Sequence, residues 1–450
     1  MVYKSTFMKD LLFDTAAAWS VAAKIMYAVA TPVTAVLILG AFTPTIQGYY
    51  YTFASLLALQ IFLELGLATV ITTFASHEWV RLRFDDDGKV TGDGHALRRL
   101  SGLALTSFRW YLVAALILFG VLALGGTLFL DVRNGAADVA WRTPWLLLCV
   151  ASALSFSLTP TWALLQGCGQ INEVNRYRFV DGLGRTLVLW SSISAGAGLW
   201  SAGLTALFSV FFAVCFLWLR HRRFLASLLA DFETSSSVNW FREVFPLQWR
   251  IAVSWISGFF AFNFFTPAIF YFEGPEAAGQ MGMTWTVAIG MSGLASTWAL
   301  TRAPQFARLV ADRRFEELDR QTIQIGTIGV AVSLASGLAA IGALLVVHVY
   351  WPGVAARFLP LGPVVLFLAS DVLHQISVTQ STYLRAFKRE PFMILSLAFG
   401  ALIAAGTILL TPTVGVGGPA ISYLLAMILG LAIGTRIFVL ARKEWTFPRP

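Results

Sequence analysis

The sequence predicts an all-α polytopic membrane protein with about 12 transmembrane helices in two six-helix lobes. Long apolar spans, a low charge content and a one-sided distribution of Lys and Arg lead to this prediction. Each span has about the length that a helix needs to cross a hydrocarbon core of about 30 Å. Within a bilayer only helices and closed barrels satisfy the backbone polar groups, and continuous apolar runs of this length are helices. The predicted spans are residues 16–40, 48–73, 107–130, 143–166, 178–198, 201–219, 249–271, 279–300, 321–347, 359–379, 392–411 and 419–440.

The composition indicates that nearly the whole chain lies in the membrane. Hydrophobic residues make up 57% of the 450 residues and charged residues 12%, whereas a soluble domain is about a quarter charged. The net charge of +8 does not point to nucleic acid, because all of the 32 Lys and Arg except Lys24, Arg133, Arg142 and Arg357 fall on one side. By the positive-inside rule this side is cytoplasmic. We therefore expect a multi-pass protein of the inner (cytoplasmic) membrane, with both termini in the cytoplasm and membrane lipids as partners.

Several function classes lose support. Residues 1–40 do not read as a cleaved signal peptide, because the apolar segment is long and contains Lys24. The three cysteines lack a metal-ligand spacing, and the chain contains no phosphate-binding GxxxxGK[ST] motif. Residues 85–88 (DDDG) do not match a calcium loop, since Arg83 and Gly94 stand where acids are needed. We expect no enzyme, no cofactor and no metal site.

An internal repeat is visible at an offset of 232 residues. The offset superposes Thr52 on Thr284, Phe74 on Phe306 and Ala75 on Ala307, and it carries span 1 onto span 7. Because a shift of six helices returns the chain to the same side, the halves are predicted to be parallel repeats around a midplane cavity. The predicted division is an N-terminal lobe at 1–220, a cytoplasmic linker at 221–248 and a C-terminal lobe at 249–450.

Helix breakers mark several spans. Pro32, Pro160 and Pro267 lie in spans 1, 4 and 7, and proline removes a helical hydrogen bond and kinks a helix. For Pro32 two interpretations stay open: a hinge, or simple tolerance, since proline is common in membrane helices. Gly-rich stretches at 196–198 and 415–418 predict tight outer turns.

Ionisable residues deep in a membrane are candidate functional residues. Asp371, His374 and Gln375 share one face of span 10, and no basic residue lies in that span. They form a candidate ion-coupling site for H⁺ or Na⁺, and the alternative is a polar cluster that only fixes helix packing. Asp181 and Arg185, at the predicted cytoplasmic start of span 5, are spaced i,i+4 and predict an intrahelical ion pair.

Four further residues are candidate substrate-binding residues. Gln60 and Glu64 lie one turn apart in span 2, where they bind a substrate or only fix packing. Lys24 lies too deep in span 1 for its ammonium to reach the interface easily, so it suits an anionic group or an internal pair with Glu64. Arg250, at the start of span 7, is a second cationic contact or an interface anchor.

Five segments resemble the oligosaccharide flippase-like proteins. They belong to the polysaccharide transporter branch of the multidrug/oligosaccharidyl-lipid/polysaccharide (MOP) exporter superfamily. The segments are 48–53 (GYYYTF), 64–67 (ELGL), 74–78 (FASHE), 382–389 (TYLRAFKR) and 416–420 (VGGPA). The resemblance covers essentially the whole chain and implies two six-helix lobes around a cavity that opens alternately inward and outward, as in the MATE-like fold.

The resemblance implies a flippase that moves an undecaprenyl-pyrophosphate-linked oligosaccharide outward for surface polysaccharide biosynthesis. Cationic side chains on the first helices of the lobes contact the lipid pyrophosphate in such proteins, and Lys24 and Arg250 match that placement. Lys24 is, however, the only basic residue well inside a predicted span. The implied partners are the lipid-linked oligosaccharide, H⁺ or Na⁺, and polysaccharide assembly enzymes. Two alternatives remain: a cation-coupled multidrug exporter of the same superfamily, and a membrane polymerase or ligase, which would need a larger outer loop.

Overall fold

A computed structural model describes residues 15–85, 88–132, 139–230, 245–387, 389 and 391–446. The described chain forms twelve long helical segments and one β-hairpin, with strands β1 (Leu82–Phe84) and β2 (Val90–Gly92) paired antiparallel. The helical segments are α1 (Thr15–Ala41), α2 (Pro44–Leu57, Ala58–Gln60, Ile61–Glu64 and Leu67–Trp79), α3 (Gly94–Gly120, Val121–Gly126 and Thr127–Asp131), α4 (Arg142–Ser157 and Thr159–Gly167), α5 (Ile171–Ser194), α6 (Trp200–Ala230), α7 (Phe245–Phe262 and Phe265–Glu273), α8 (Pro275–Ala311), α9 (Phe315–Tyr350), α10 (Leu361–Ala386), α11 (Met393–Val414) and α12 (Gly418–Thr446).

The predicted fold class is confirmed, because each predicted span overlaps one of these segments. By length and apolar composition alone, seven helical stretches of the described chain are able to cross a membrane, or nine if each of two bent pairs is one span. One of the seven, Met393–Trp445, contains both α11 and α12. Neither α5 nor α8 is among them; α5 carries several charged side chains along its length.

Local sequence sets the helix ends. The Asp93 carboxylate caps α3 by accepting a hydrogen bond from the backbone N–H of His95 at 2.8 Å. The predicted tight turns are present: Gly196 and Gly415 follow α5 and α11 with φ of 78° and 64°, which glycine adopts without a steric penalty.

Two helices bend sharply, and neither bend lies at Pro32, which sits inside the continuous helix α1. In α2 the direction changes by 47° between Pro44–Glu64 and Leu67–Trp79, across two residues in the left-handed region. In α7 the change is 44°, at a break three residues before Pro267. Proline has no N–H to donate to the carbonyl four residues earlier, which accounts for the second break.

The chain divides into two compact units. One comprises the described parts of Met1–Thr43 and Leu56–Trp255, and the other those of Pro44–Ser55 and Ile256–Pro450. The first three turns of α2 therefore group with the second unit.

In the first unit α1 packs along α5. The rings of Trp19 and Phe179 lie 5.4 Å apart, and the indole of Trp190 donates to Thr34 Oγ1 at 2.9 Å. In addition, a Cβ at Gly182 would lie 2.6 Å from the Tyr27 hydroxyl, so the absent side chain allows the close approach.

In the second unit the start of α2 crosses α8 at very short range. A Cβ at Gly48 would lie 1.8 Å from the Pro275 carbonyl oxygen. Gln47 Nε2 donates to the carbonyl of Gly279 at 2.8 Å, and those two residues are 232 positions apart. This separation equals the offset of the repeat predicted from the sequence.

A partly buried ion pair joins three helices at one end of the second unit. Arg442 binds Asp319 through Nε at 3.0 Å and Nη2 at 2.5 Å, and Tyr383 donates to the same carboxylate at 3.0 Å. A bidentate arginine–carboxylate pair fixes the relative orientation of the two side chains in addition to neutralising their charges. The contact joins α9, α10 and α12.

Candidate functional site

Asp371 lies near the middle of α10 and is 7% exposed. Its carboxylate accepts a hydrogen bond from Ser333 Oγ of α9 at 2.5 Å and one from Gln375 Nε2 at 3.2 Å. His374 Nδ1 lies 4.0 Å from the same carboxylate and 3.4 Å from Ser292 Oγ of α8. The three predicted residues are therefore close together, and α8, α9 and α10 all contribute to the cluster.

The contacts of Asp371 are with neutral groups. Within the described residues, no Lys or Arg forms an ion pair with it, and the nearest ionisable partner is His374. A carboxylate held by a hydroxyl and an amide is able to take up a proton or a small cation, and acid–histidine pairs in membrane helices serve in proton relays. The sequence did not indicate Ser333 or Ser292, because serine is common in membrane helices and gives no positional signal.

Glu64 lies directly before the bend in α2. It ends the helix Ile61–Glu64, Leu65 and Gly66 follow with φ of 49° and 70°, and Gln60 ends the short 3₁₀ turn before it. Glu64 and Gln60 are half-buried, and the buried Tyr111 of α3 lies within electrostatic reach of Glu64. Broken membrane helices occur where backbone lines a cavity or is buried in protein. The sequence missed this break because no proline marks it.

Lys24 is exposed on α1. Within the described residues no ion pair joins Lys24 to Glu64 or to any other carboxylate, so the internal pair considered above does not form there. The backbone of Arg250 lies in the helix Phe245–Phe262. Its side chain lies outside the part of the chain that the structure describes.

The helix α5 begins seven residues before the predicted span 178–198, and this changes the position of Arg185 along the helix. Since α5 starts at Ile171, Arg185 lies about 21 Å along the axis from that end and about 14 Å from Ser194, at 1.5 Å per residue. The predicted ion pair is confirmed, with Arg185 Nη1 3.9 Å from Asp181 Oδ2. Arg185 therefore lies near the middle of this helix rather than at its start.

The whole chain resembles solved membrane transporters in fold. No protein-family model and no curated protein matches the sequence. An inward-facing MATE-family multidrug resistance transporter of the MOP superfamily superposes with a TM-score of 0.70 at 13% identity, covering 95% of this chain and 99% of that chain. The lipid II flippase MurJ, inward closed, gives 0.65 at 10% identity over 95% and 90%. A MOP superfamily transporter from Pyrococcus furiosus gives 0.53 at 14% identity over 95% and 96%. This chain is thus an all-α polytopic membrane protein that shares the fold of these MOP superfamily transporters.

Proposed function

We propose that this protein is a flippase that moves an undecaprenyl-pyrophosphate-linked oligosaccharide across the cytoplasmic membrane by alternating access. Its product would pass to polysaccharide assembly enzymes on the outer face. The fold supports a transporter of this kind, and the position of Lys24 supports an anionic substrate.

The observation that carries this proposal is the exposure of the Lys24 side chain and its lack of a carboxylate partner among the described residues. Lys24 is the tenth residue of α1, about 14 Å along the axis from Thr15, and it is exposed without a carboxylate partner among the described residues. An ammonium inside a membrane is costly unless it faces an aqueous space or a counter-ion. A phosphate group of the substrate would supply that counter-ion, and an ammonium serves as a point charge for phosphate.

The test is transport of a fluorescent lipid-diphosphate-linked oligosaccharide in proteoliposomes. We expect Lys24→Ala to lower the flipping rate about tenfold or more, since a hydrogen bond to a charged group contributes about 1.5–3 kcal/mol. Lys24→Arg should retain much of the rate because the charge is kept. Lys443→Ala, an exposed lysine near the end of α12, is the matched control. Equal rates for Lys24→Ala and Lys443→Ala would contradict the proposal.

A second candidate is a cation-coupled multidrug exporter. Asp371 in its polar cluster, with Glu64 in the other unit, favours it because acidic residues in membrane helices suit cationic substrates and coupling ions. The two functions separate in one assay. If the protein is a flippase, it should transport the lipid-linked sugar but not a cationic dye. If it is a multidrug exporter, it should transport the dye but not the lipid-linked sugar.

A further inference from the structure

We propose that Lys24, Arg178 and Arg185 form one binding site for a diphosphate diester on a single side of the α1–α5 helix pair. The proposal rests on the proposed flippase function and names the protein groups that would hold the diphosphate of its substrate. Two of these residues lie on α5.

The exposed residues of α5 fall on two opposite faces. Arg178 and Arg185 are exposed and seven residues apart, so they lie on the same face two turns apart. Val180, Leu183 and Leu187 are also exposed, at 40%, 41% and 54%. At 100° per residue, this apolar face lies about 180° from the arginine face. Apolar residues suit a lipid-facing surface, so Arg178 and Arg185 lie on the side of α5 opposite to it.

The exposed residues of α1 also form a polar face and an apolar face. Lys24, Tyr27 and Thr31 are exposed and follow one another at three- and four-residue spacing, which gives a polar face. Val29 and Val36, 62% and 67% exposed, lie largely on the other side of the helix. Lys24 therefore also lies on a face that is distinct from the apolar one.

The packing of α1 on α5 sets the relative height of the three cations. Trp19 contacts Phe179 near one end of the pair, and Thr34 contacts Trp190 near the other, so the helices run parallel. By this register Lys24 lies between the levels of Arg178 and Arg185. Those two are about 10 Å apart along the axis.

The two polar faces lie on the same side of the helix pair. Viewed from the N-terminal ends, the polar face of α1 is about a quarter turn clockwise from the face that packs on α5. The arginine face of α5 is about a quarter turn anticlockwise from the face that packs on α1. For parallel helices lying side by side, these opposite rotations bring Lys24, Arg178 and Arg185 to one side.

The charge of this site matches a diphosphate diester. Three cations contribute three positive charges, and Asp181, 8% exposed and 3.9 Å from Arg185, offsets one of them. A diphosphate that is esterified at both ends carries two negative charges at neutral pH. Arginine suits this ligand because its guanidinium presents paired N–H donors to phosphate oxygens.

The test measures binding to the full-length protein in lipid nanodiscs. The probes are an undecaprenyl-diphosphate-linked sugar, undecaprenyl monophosphate and a soluble nucleotide-diphosphate sugar. We expect Lys24→Gln, Arg178→Gln and Arg185→Gln each to weaken binding of the lipid diphosphate about tenfold or more. The monophosphate should bind the unmodified protein more weakly and lose less affinity. Arg176→Gln is the matched control, because Arg176 is exposed on the same helix but on the apolar side.

A second variant keeps the test valid if Arg185→Gln misfolds. If Arg185→Gln alone does not fold, Asp181→Asn/Arg185→Gln removes both partners of the ion pair and tests the same contact. Equal affinities for Arg185→Gln, Lys24→Gln and Arg176→Gln would overturn the site.

The three probes also distinguish failure of the proposed binding site from failure of the proposed flippase function. If the lipid diphosphate binds and none of these variants weakens it, the flippase function survives and this site is wrong. If only the soluble diphosphate binds, and the variants weaken it, the site is supported and the flippase function is wrong.

Discussion

The Nε atom of Arg357 donates a hydrogen bond to Oε1 of Gln47 at 2.7 Å, and both side chains are buried, at 8% and 1% exposure. Gln47 Nε2 in turn donates to the carbonyls of Gly279 at 2.8 Å and Arg357 at 3.1 Å. Burial lowers the pKa of the Arg357 guanidinium, and the Glu276 carboxylate acts in the opposite direction. Within the second unit this network joins the start of α2 to α8 and to the connection between α9 and α10.

Replacing Gln47 tests the strength of that network. Gln47→Leu removes one partner of a buried guanidinium and the donor shared by two buried carbonyls, so we expect the free energy of unfolding to fall by about 1–3 kcal/mol. Thermal unfolding in detergent measures it. Gln280→Leu is the control, because Gln280 donates to the Ala356 carbonyl at 2.9 Å from a more exposed position and should cost less.

The crossing of α2 and α8 predicts a severe glycine requirement at position 48. In Gly48→Ala the new Cβ would meet the carbonyl of Pro275, which is backbone and cannot rotate away. We expect a loss of about 3 kcal/mol of stability, read from the unfolding midpoint. Gly290→Ala in α8 meets no atom within 4 Å and should be neutral or slightly stabilising. A folded Gly48→Ala protein with an unchanged midpoint would contradict the close crossing.

The sequence predicted the helices well because apolar run length is a strong signal in membrane proteins. It predicted the start of α5 less well. Glu173 and Arg176 lower the local hydropathy, although the backbone is helical from Ile171 onward. Consequently, Arg185 lies farther from the start of the helix than the predicted span implies.

Features that depend on tertiary contacts were not predictable. The bend in α2 occurs at Leu65 and Gly66. Leucine is a good helix former, and although glycine is a poor one, it is frequent in membrane helices and does not mark a break by itself. The hydrogen bond between Ser333 and Asp371 joins residues 38 positions apart. A single sequence carries no signal that relates those two positions.

Orientation in the membrane is testable by cysteine labelling. The positive-inside distribution predicts residues 131–142 outside and 80–100 inside. Lys89 is exposed beside the hairpin turn and is a better inner probe than Gly92, whose φ of 140° favours glycine. We expect a membrane-impermeant maleimide to label Asp138→Cys, which lies outside the described residues, in intact cells. Lys89→Cys should react only after permeabilisation, and its labelling in intact cells would reverse the orientation.

The most specific prediction concerns the role of Asp371. Asp371→Asn keeps the size of the side chain and its ability to bond to Ser333 and Gln375, but it removes the charge and the titration. If Asp371 couples transport to H⁺ or Na⁺, the variant should fold with an unfolding midpoint near that of the unmodified protein and should lose the dependence of transport on the ion gradient. The assay is transport in proteoliposomes with and without an imposed H⁺ or Na⁺ gradient.

Asp319→Asn provides the matched control. Asp319 is also a largely buried aspartate of the second unit, but it is paired with Arg442. That variant should lose stability, by about 1–3 kcal/mol, since it weakens a charge-assisted pair. Its transport should remain gradient-dependent wherever it folds. If Asp371→Asn behaves like Asp319→Asn, with lower stability and an intact gradient dependence, Asp371 has only a packing role. The coupling function then needs another residue, and Glu64 beside the bend in α2 is the next to test.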